Sequence, residues 1–305
     1  CHQKDNIARN GINFGIFRQT KPVRMKKMLL LPLLLLFLIT GCSDDDSKKT
    51  ADDTGQAKKL LNVAYGNDIQ QKMDIYLPAG RNENTKVILL LHGGSWIAGN
   101  KNDMDFLVPG LQQEFPKHAI VNIGYRLATN TSPAYPKQTD DIAAAIKYLE
   151  DSGYMVSDDY AFIGISAGAH LAMLYSYKHD ADHDIKAICN VVGPVDFTDP
   201  EYLSHPLYAS ASQTLIGNAA PTIEQISTVN PVSYITAQSP ATISFYGGVD
   251  PLVPATQGPR LKAALDNVGV YNEFNFYENG GHADWDTATT LEVFNKMTAF
   301  LTSKL

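Results

Sequence analysis

Cysteine is scarce in this 305-residue sequence, which contains only Cys1, Cys42 and Cys189. Three thiols cannot form a disulfide framework, and no CxxC or Cys/His cluster has the spacing of a zinc site. Cys189 lies within the apolar run IKAICNVVG, which predicts a buried core side chain. We therefore expect neither a disulfide-rich fold nor a metal site.

Basic residues do not predominate either, since 25 Lys and Arg stand against 32 Asp and Glu and the net charge is −7. Phosphate backbones are bound by clustered Lys and Arg, so this balance argues against nucleic acid as a partner. The hydrophobic fraction of 44% and charged fraction of 19% exclude disordered, collagen-like and multi-span membrane proteins. The composition is typical of a globular chain with one large or two modest domains.

One long apolar segment lies near the N-terminus. Residues 25–27 read MKK, residues 28–39 are apolar, and residues 40–42 read TGC. A charged start, an apolar stretch of about a dozen residues and a small residue before the cut are typical of a secretory signal. We expect Met25 to be the start and residues 1–24 to be upstream, non-native sequence. A transmembrane anchor is the alternative, although the run is short for a span of about 20 residues.

The end of this segment, LITGC at residues 38–42, resembles the lipobox of bacterial lipoproteins. The resemblance implies a signal peptide over residues 25–41 and an outer-membrane lipoprotein attached to the membrane through lipid on Cys42. The acidic run Asp44–Asp46 resembles the surface-export signals of some such lipoproteins, which implies exposure at the cell surface. A chance cysteine after an ordinary signal and a solvated acidic tether are the alternatives. Residues 42–59 are polar and predict a flexible linker.

Strand and helix patterns alternate over residues 60–305, which we expect to form one domain. This alternation predicts a doubly wound α/β fold, with a mostly parallel sheet of about eight strands flanked by helices. The stretch 198–233 has mixed periodicity and Pro, Gly and Asn breaks, so we expect a small cap there. The predicted strands are 62–65, 73–76, 86–91, 119–123, 160–163, 185–192, 242–246 and 271–276. The predicted helices are 106–115, 137–152, 167–177, 254–268 and 287–303.

The motif GISAG at residues 164–168 follows a predicted strand and opens a predicted helix. Glycines two before and two after Ser166 let strand and helix approach each other through a tight turn. The serine hydroxyl is then exposed at a helix N-terminus, where backbone N–H groups favour negative charge. The pattern predicts that Ser166 is a nucleophile, and a plain small-residue turn is the alternative.

A second motif, HGGSW at residues 92–96, directly follows the apolar strand VILLL. Together with GISAG it resembles the α/β-hydrolase fold, specifically carboxylesterases and lipases with an HGG oxyanion loop. The resemblance extends from about residue 60 to the end of the chain. It implies an oxyanion hole built from backbone N–H groups of Gly94, Ser95 and Ala167.

This loop departs from the HGGG that the family often carries, because Ser95 replaces the third glycine. The departure leaves open which loop N–H completes the oxyanion hole. His92 is expected to shape the loop rather than to act as an acid or base. Trp96 is expected either to form a wall of the acyl pocket or to pack in the core.

The resemblance also implies the order serine, acid, histidine. GVDPLVP at residues 248–254 follows a predicted strand and matches the acid loop of the family, which gives Asp250 the task of orienting the imidazole. GGH at residues 280–282 follows the next strand and precedes the last helix. His282 is therefore the expected general base and then general acid. Two local alternatives for the acid are Asp284 and Asp286.

Two further stretches, YRL at residues 125–127 and YP followed by DD within 135–141, have counterparts in the same family. We interpret them as scaffold. Arg126 and Asp141 are expected to form an ion pair rather than to take part in catalysis.

The resemblance implies a serine ester hydrolase that works through an acyl-enzyme and needs no metal or organic cofactor. Its substrate would be a small or polymer-linked ester, and acetyl or feruloyl groups on polysaccharide suit a surface lipoprotein. An aryl formamidase similar to kynurenine formamidase, or a small serine peptidase of the same fold, is the alternative enzyme. A non-catalytic, lipid-tethered binding protein is a hypothesis of another class, against which the full Ser/Asp/His set argues.

Overall fold

The computed structural model of this chain describes residues 54–305, in which eight strands form one sheet. The predicted signal peptide, Cys42 and most of the predicted linker lie outside the described residues. In chain order the strands are β1 Lys58–Ala64, β2 Lys72–Leu77, β3 Val87–Leu91, β4 Ala119–Ile123, β5 Tyr160–Ile165, β6 Ile185–Val191, β7 Ala241–Gly247 and β8 Asn272–Tyr277.

Across the sheet the strand order is β1-β2-β4-β3-β5-β6-β7-β8. The pairs β1–β2 and β2–β4 are antiparallel, and every pair from β4–β3 to β7–β8 is parallel. The predicted mostly parallel sheet of eight strands is therefore confirmed. All five residues of β3 are buried, as expected for a strand covered on both faces.

The helices cover both faces of this sheet. One core cluster packs α2, α3 and α7 against one face, and a second cluster packs α1 and α8 against the other. Such two-sided packing is the doubly wound arrangement that the alternation of strands and helices predicted. The helices are α1 Val108–Glu114, α2 Lys137–Asp151, α3 Ala167–Lys178, α4 Pro200–Leu203, α5 Tyr208–Ile216, α6 Ile223–Ser227, α7 Gln257–Asn267 and α8 Thr287–Lys304.

The predicted helix 106–115 is wrong at its start. Helical winding begins earlier, in a 3₁₀ segment over Lys101–Leu107 that leads directly into α1. The reason is a local capping box at Asn100. Its side chain accepts the Asn102 N–H, and the Asp103 carboxylate accepts the Asn100 N–H. Polar capping of this kind starts a turn without any apolar periodicity.

The stretch 198–233 contains the short helices α4, α5 and α6, which connect β6 to β7 and form the expected small cap. None of the three is longer than nine residues. So few turns give little periodic signal, which explains why the sequence predicted the cap but not its helices.

Cys189 is fully buried in the second core cluster, as predicted, and burial raises the pKa of its thiol well above the ordinary value. Across residues 54–305 no helix has the length and apolar character needed to cross a membrane.

Candidate active site

Ser166 stands at the turn between β5 and α3, at the carboxyl edge of the sheet. Its φ of 53° and ψ of −118° lie outside the regions that ordinary residues prefer, and its N–H donates to the Val191 carbonyl at 2.8 Å. A Cβ added at Gly168 would lie 2.2 Å from the Leu91 carbonyl oxygen. Glycine at position 168 therefore lets the start of α3 lie against the end of β3, and this close packing places the serine hydroxyl beyond the edge of the sheet.

His282 links this hydroxyl to a carboxylate. Its Nε2 lies 2.8 Å from Ser166 Oγ, and its Nδ1 lies 2.7 Å from Asp250 Oδ2. The other oxygen of Asp250 accepts the N–H groups of Leu252 and Val253 at 2.8 and 3.0 Å. In a neutral imidazole that donates its Nδ1–H to the carboxylate, Nε2 carries no proton and accepts the serine O–H. The structure thus brings the three predicted side chains into one hydrogen-bonded chain.

The two alternative acids lie elsewhere. Asp286 caps α8 by accepting the Thr289 N–H at 2.8 Å, and this backbone hydrogen bond holds the pKa of its carboxyl below the ordinary value. Asp284 is exposed beside Gly281. The histidine proton at Nδ1 is directed to Asp250 instead.

The loop after β3 presents backbone N–H groups to the same place. Gly94 has a φ of 115°, and a Cβ added there would lie 2.1 Å from the Ala98 carbonyl oxygen. The Gly94 carbonyl accepts the N–H groups of Ile97 and Ala98 at 3.1 and 2.9 Å. In a planar trans peptide N–H and C=O point in opposite directions, so the Ser95 N–H points away from that turn.

Two further donors complete this set. The Gly93 carbonyl faces His92 Nδ1 at 2.7 Å, so by the same geometry the Gly94 N–H points away from the His92 ring. Ala167 is the first residue of α3, and its N–H is one of the orphan donors of a helix N-terminus. All three predicted oxyanion donors therefore belong to the two turns that flank the serine.

His92 shapes the loop, as expected, and does not reach the reacting groups. Its ring is fully buried and stacks on Tyr125 at 4.1 Å, and the Tyr125 hydroxyl donates to the His92 carbonyl at 2.6 Å. Burial lowers the pKa of His92, so the ring is neutral. Its Nδ1–H can then donate to the Gly93 carbonyl and fix that peptide.

A cavity of about 200 Å³ opens beside the Ser166 hydroxyl and contains both Ser95 and His282 in its wall. Its lining includes no Lys or Arg. Five lining residues come from the cap. One is Tyr202, and the other four follow helical spacing along α5 and the residue that precedes it. These four are Leu207, Ser210, Ala211 and Thr214. The sequence did not predict these positions, because a helix of nine residues has too few turns to give a clear periodic signal.

Trp96 packs in the core, which is one of the two roles that the sequence left open. It lines the cavity, and its buried Nε1 donates to His170 Nδ1 at 3.2 Å. His170 in turn donates from Nε2 to the Val229 carbonyl at 2.8 Å. Burial lowers the pKa of His170 to about 4, so it is neutral and keeps the acceptor that Trp96 needs. The oxyanion loop is thereby attached to the core.

Arg126 and Asp141 form the predicted ion pair, with the carboxylate fully buried. Within the described part of the chain, no group of three or more His, Cys, Asp or Glu side chains is arranged to hold a metal ion.

Comparison with known proteins agrees with this architecture. The sequence is 26% identical over 233 residues to the kynurenine formamidase of Danio rerio, covering 72% of this chain and 76% of the relative. A truncated carbohydrate esterase from gut microbiota superposes with a TM-score of 0.69 at 24% identity, covering 83% of this chain and 98% of that one.

A bifunctional GH43-CE protein of Bacteroides eggerthii superposes with a TM-score of 0.70 at 23% identity. The match covers 83% of this chain but spans only 38% of that longer protein. These likenesses confirm the predicted α/β-hydrolase fold. Residues 73–265 match the sequence model of BD-FAE, and the chain therefore belongs to the BD-FAE family of α/β-hydrolase esterases.

Proposed function

We propose that this protein is a serine esterase that removes acyl groups from carbohydrate esters through a covalent acyl-enzyme. The observation that carries the proposal is the hydrogen-bonded chain Ser166–His282–Asp250 at the mouth of a cavity. Backbone N–H donors on two sides of the serine support the same chemistry, because acyl transfer develops an oxyanion.

In the first half-reaction, Ser166 Oγ attacks the ester carbonyl while His282 Nε2 accepts the hydroxyl proton. The new C–O bond places negative charge on the former carbonyl oxygen, which the N–H groups of Gly94, Ser95 and Ala167 stabilise. Asp250 holds the imidazolium in place through Nδ1. His282 then donates its proton to the leaving alcohol as the ester C–O bond breaks.

In the second half-reaction water replaces the alcohol. His282 takes a proton from water, whose oxygen attacks the acyl carbon and forms a second tetrahedral oxyanion. Collapse of this species breaks the bond to Ser166 Oγ, which recovers the proton from His282. The products are a carboxylic acid and the free enzyme.

Carbohydrate esters are favoured as substrates by two observations. The structural neighbours with TM-scores of 0.69 and 0.70 include a protein described as a carbohydrate esterase. The cavity beside Ser166 is lined without Lys or Arg, which suits a neutral ester better than an anionic one. Acetyl and feruloyl groups are the acyl groups that we propose to test.

A formamidase acting on N-formylkynurenine is the second candidate, because of the 26% identity to kynurenine formamidase over 72% of the chain. That substrate carries a carboxylate, for which the cavity offers no Lys or Arg among its lining residues. An electrostatic pairing of this kind would otherwise fix such a ligand. The esterase proposal therefore stands first.

A substrate panel with an active-site label tests the proposal. The panel contains p-nitrophenyl acetate, acetylated xylan, methyl ferulate and N-formylkynurenine, and the label is a fluorophosphonate read by peptide mass spectrometry. We expect turnover of acetylated xylan or the ferulate ester, labelling at Ser166, and neither in Ser166→Ala. Exclusive turnover of N-formylkynurenine would favour the second candidate, and an unlabelled Ser166 in an active enzyme would refute the acyl-enzyme.

We also propose that the protein is an outer-membrane lipoprotein anchored through Cys42 and exposed at the cell surface. The support is in the sequence: MKK at residues 25–27, an apolar run, LITGC at 38–42 and the acidic run Asp44–Asp46. A surface location would place the esterase beside extracellular polymers that cannot enter a cell.

A further inference from the structure

A second cavity, of about 640 Å³, borders the loops that carry Asp250 and His282. Val249 and Pro251 flank the aspartate and line this cavity, as does Gly281, which precedes the histidine. The cavity therefore adjoins the reacting groups through two loops. Its volume falls within the range of ligand sites, about 300–1,000 Å³.

Two aromatic rings form part of its wall. Tyr277 and Trp285 lie with ring centroids 5.0 Å apart, tilted by 47°. Trp285 Nε1 donates to the Gly281 carbonyl at 3.2 Å, so the ring is fixed to the loop of His282. Aromatic rings offer a rigid apolar surface at low entropic cost, onto which the C–H face of a sugar ring can pack.

Polar side chains that can accept or donate hydrogen bonds line the same cavity as these rings. Glu278, Asn279 and Asp284 are exposed, and no hydrogen bond or ion pair joins their side chains to other described residues. Carboxylate oxygens accept hydrogen bonds from hydroxyl groups, and an amide both donates and accepts. These three side chains can therefore bind a molecule rich in hydroxyl groups.

The charge of the residues that line the cavity further restricts the chemical class of its ligand. Its ionisable residues are acidic or Tyr277, and no Lys or Arg is among them, so phosphate or carboxylate ligands would be repelled. Within residues 54–305 no cluster suited to a metal ion is found either. A neutral, hydroxyl-rich ligand fits both facts.

We infer that this cavity is a carbohydrate subsite that binds sugar units next to the esterified one. The inference rests on the proposed function. His282 delivers the proton to the leaving alcohol, so the sugar side of the ester lies on the histidine side of Ser166. From there a glycan chain passes over Gly281 and Pro251 into the cavity.

The experiment compares wild type with Glu278→Ala and Asp284→Ala, using acetylated xylo-oligosaccharides of increasing length and p-nitrophenyl acetate. For wild type, kcat/KM on the oligosaccharides should rise with length. Each variant should raise KM on the longer oligosaccharides about two- to tenfold, the effect of one lost hydrogen bond. Turnover of p-nitrophenyl acetate, which carries no sugar unit, should be unchanged.

Glu83→Ala is the matched control, because Glu83 is exposed and precedes β3 at the opposite edge of the sheet. It should leave both substrates unaffected. Oligosaccharide hydrolysis that is equal in wild type and both cavity variants would overturn the subsite and leave the proposed function standing. Turnover of p-nitrophenyl acetate without any hydrolysis of acetylated oligosaccharides would instead refute the proposed substrate class, and the subsite with it.

Discussion

Ser166 combines a strained backbone with a position in the wall of a cavity. Its φ of 53° costs on the order of 1–3 kcal/mol for a residue with a side chain, and such strain persists only where packing enforces it. Here α3 follows at once, and eleven of its twelve residues are buried, so the packing of this helix holds the turn in place. The serine motif was predictable from the sequence, because glycine spacing reports the turn directly.

Asp250→Asn should lower kcat by orders of magnitude while folding is retained. An amide would replace a carboxylate that accepts from His282 Nδ1 and two backbone N–H groups, and the imidazole would then adopt the wrong tautomer. The corresponding change in a serine protease lowers kcat about 10⁴-fold. Steady-state kinetics on p-nitrophenyl acetate measure the effect.

Asp284→Asn serves as the matched control for that substitution, because Asp284 is exposed and the histidine proton goes elsewhere. Its kcat on p-nitrophenyl acetate should stay within about twofold of wild type. If Asp284→Asn proved more damaging than Asp250→Asn, the assignment of the acid would be wrong.

His170 should make the protein less stable as pH falls from 6.5 towards 4. Its folded pKa of about 4 lies below the ordinary 6.5, so in this window the unfolded chain binds a proton that the native state does not. The difference between these two pKa values corresponds to roughly 3 kcal/mol of unfolding free energy. This contribution is fully present above pH 6.5 and is lost as the pH approaches 4. Urea unfolding at several pH values measures it.

His170→Gln isolates this contribution from the other titrating groups. The variant loses stability at pH 7, because the hydrogen bonds to Trp96 and Val229 are disturbed, but its stability should fall less steeply between pH 6.5 and 4. Equal slopes for variant and wild type would show that His170 does not carry the effect.

Among the strands and helices, those with a long apolar pattern were predicted best from the sequence. Both bounds of strand Ala119–Ile123 were predicted correctly, and the predicted start of β3 was wrong by one residue. These strands were predictable because a continuous apolar run is typical of a strand that is buried on both faces. The 3₁₀ segment Lys101–Leu107 was missed because polar capping at Asn100 starts it. The cap residues around the cavity were missed because α5 has only nine residues.

The loop after β3, which we propose supplies the oxyanion donors, is the element whose backbone geometry should affect kcat most. Gly94→Ala would place a Cβ 2.1 Å from the Ala98 carbonyl oxygen at a φ of 115°, so the turn must shift and its N–H donors with it. Loss of one oxyanion donor lowers kcat about 10²–10³-fold, and we expect an effect of that order. Kinetics on p-nitrophenyl acetate, with thermal unfolding alongside, measure kcat and folding together.

Gly80→Ala provides the comparison for Gly94→Ala. Gly80 also has a positive φ, of 71°, but nothing lies within 4 Å of an added Cβ. It should lower stability slightly and leave kcat unchanged. A similar loss of kcat in both variants would mean that general destabilisation, and not the oxyanion loop, explains the result.

For the molecule as a whole, the site is gathered by the topology of the sheet. The oxyanion loop follows β3, Ser166 follows β5, the cap follows β6, Asp250 follows β7 and His282 follows β8. Parallel strands bring these carboxyl ends to one edge, where ligands of such sheets bind. The sequence could therefore predict that motifs far apart along the chain meet in one site. It could not predict the volume of either cavity, because that volume depends on how the loops pack and no periodicity encodes loop packing.

Cys42→Ala should separate membrane attachment from catalysis. If Cys42 carries lipid, its replacement should prevent processing of the signal and move the protein out of the membrane fraction, because two or more acyl chains anchor stably where one does not. Hydrolysis of p-nitrophenyl acetate should persist, since the proposed catalytic residues all lie within residues 54–305. Replacing Asp44–Asp46 with Asn is the companion change, and it should reduce protease accessibility on intact cells without changing membrane association. Mass spectrometry that finds unmodified Cys42 inside a longer N-terminal peptide would reject lipidation, whereas unchanged surface exposure of the Asn variant would reject only the export signal.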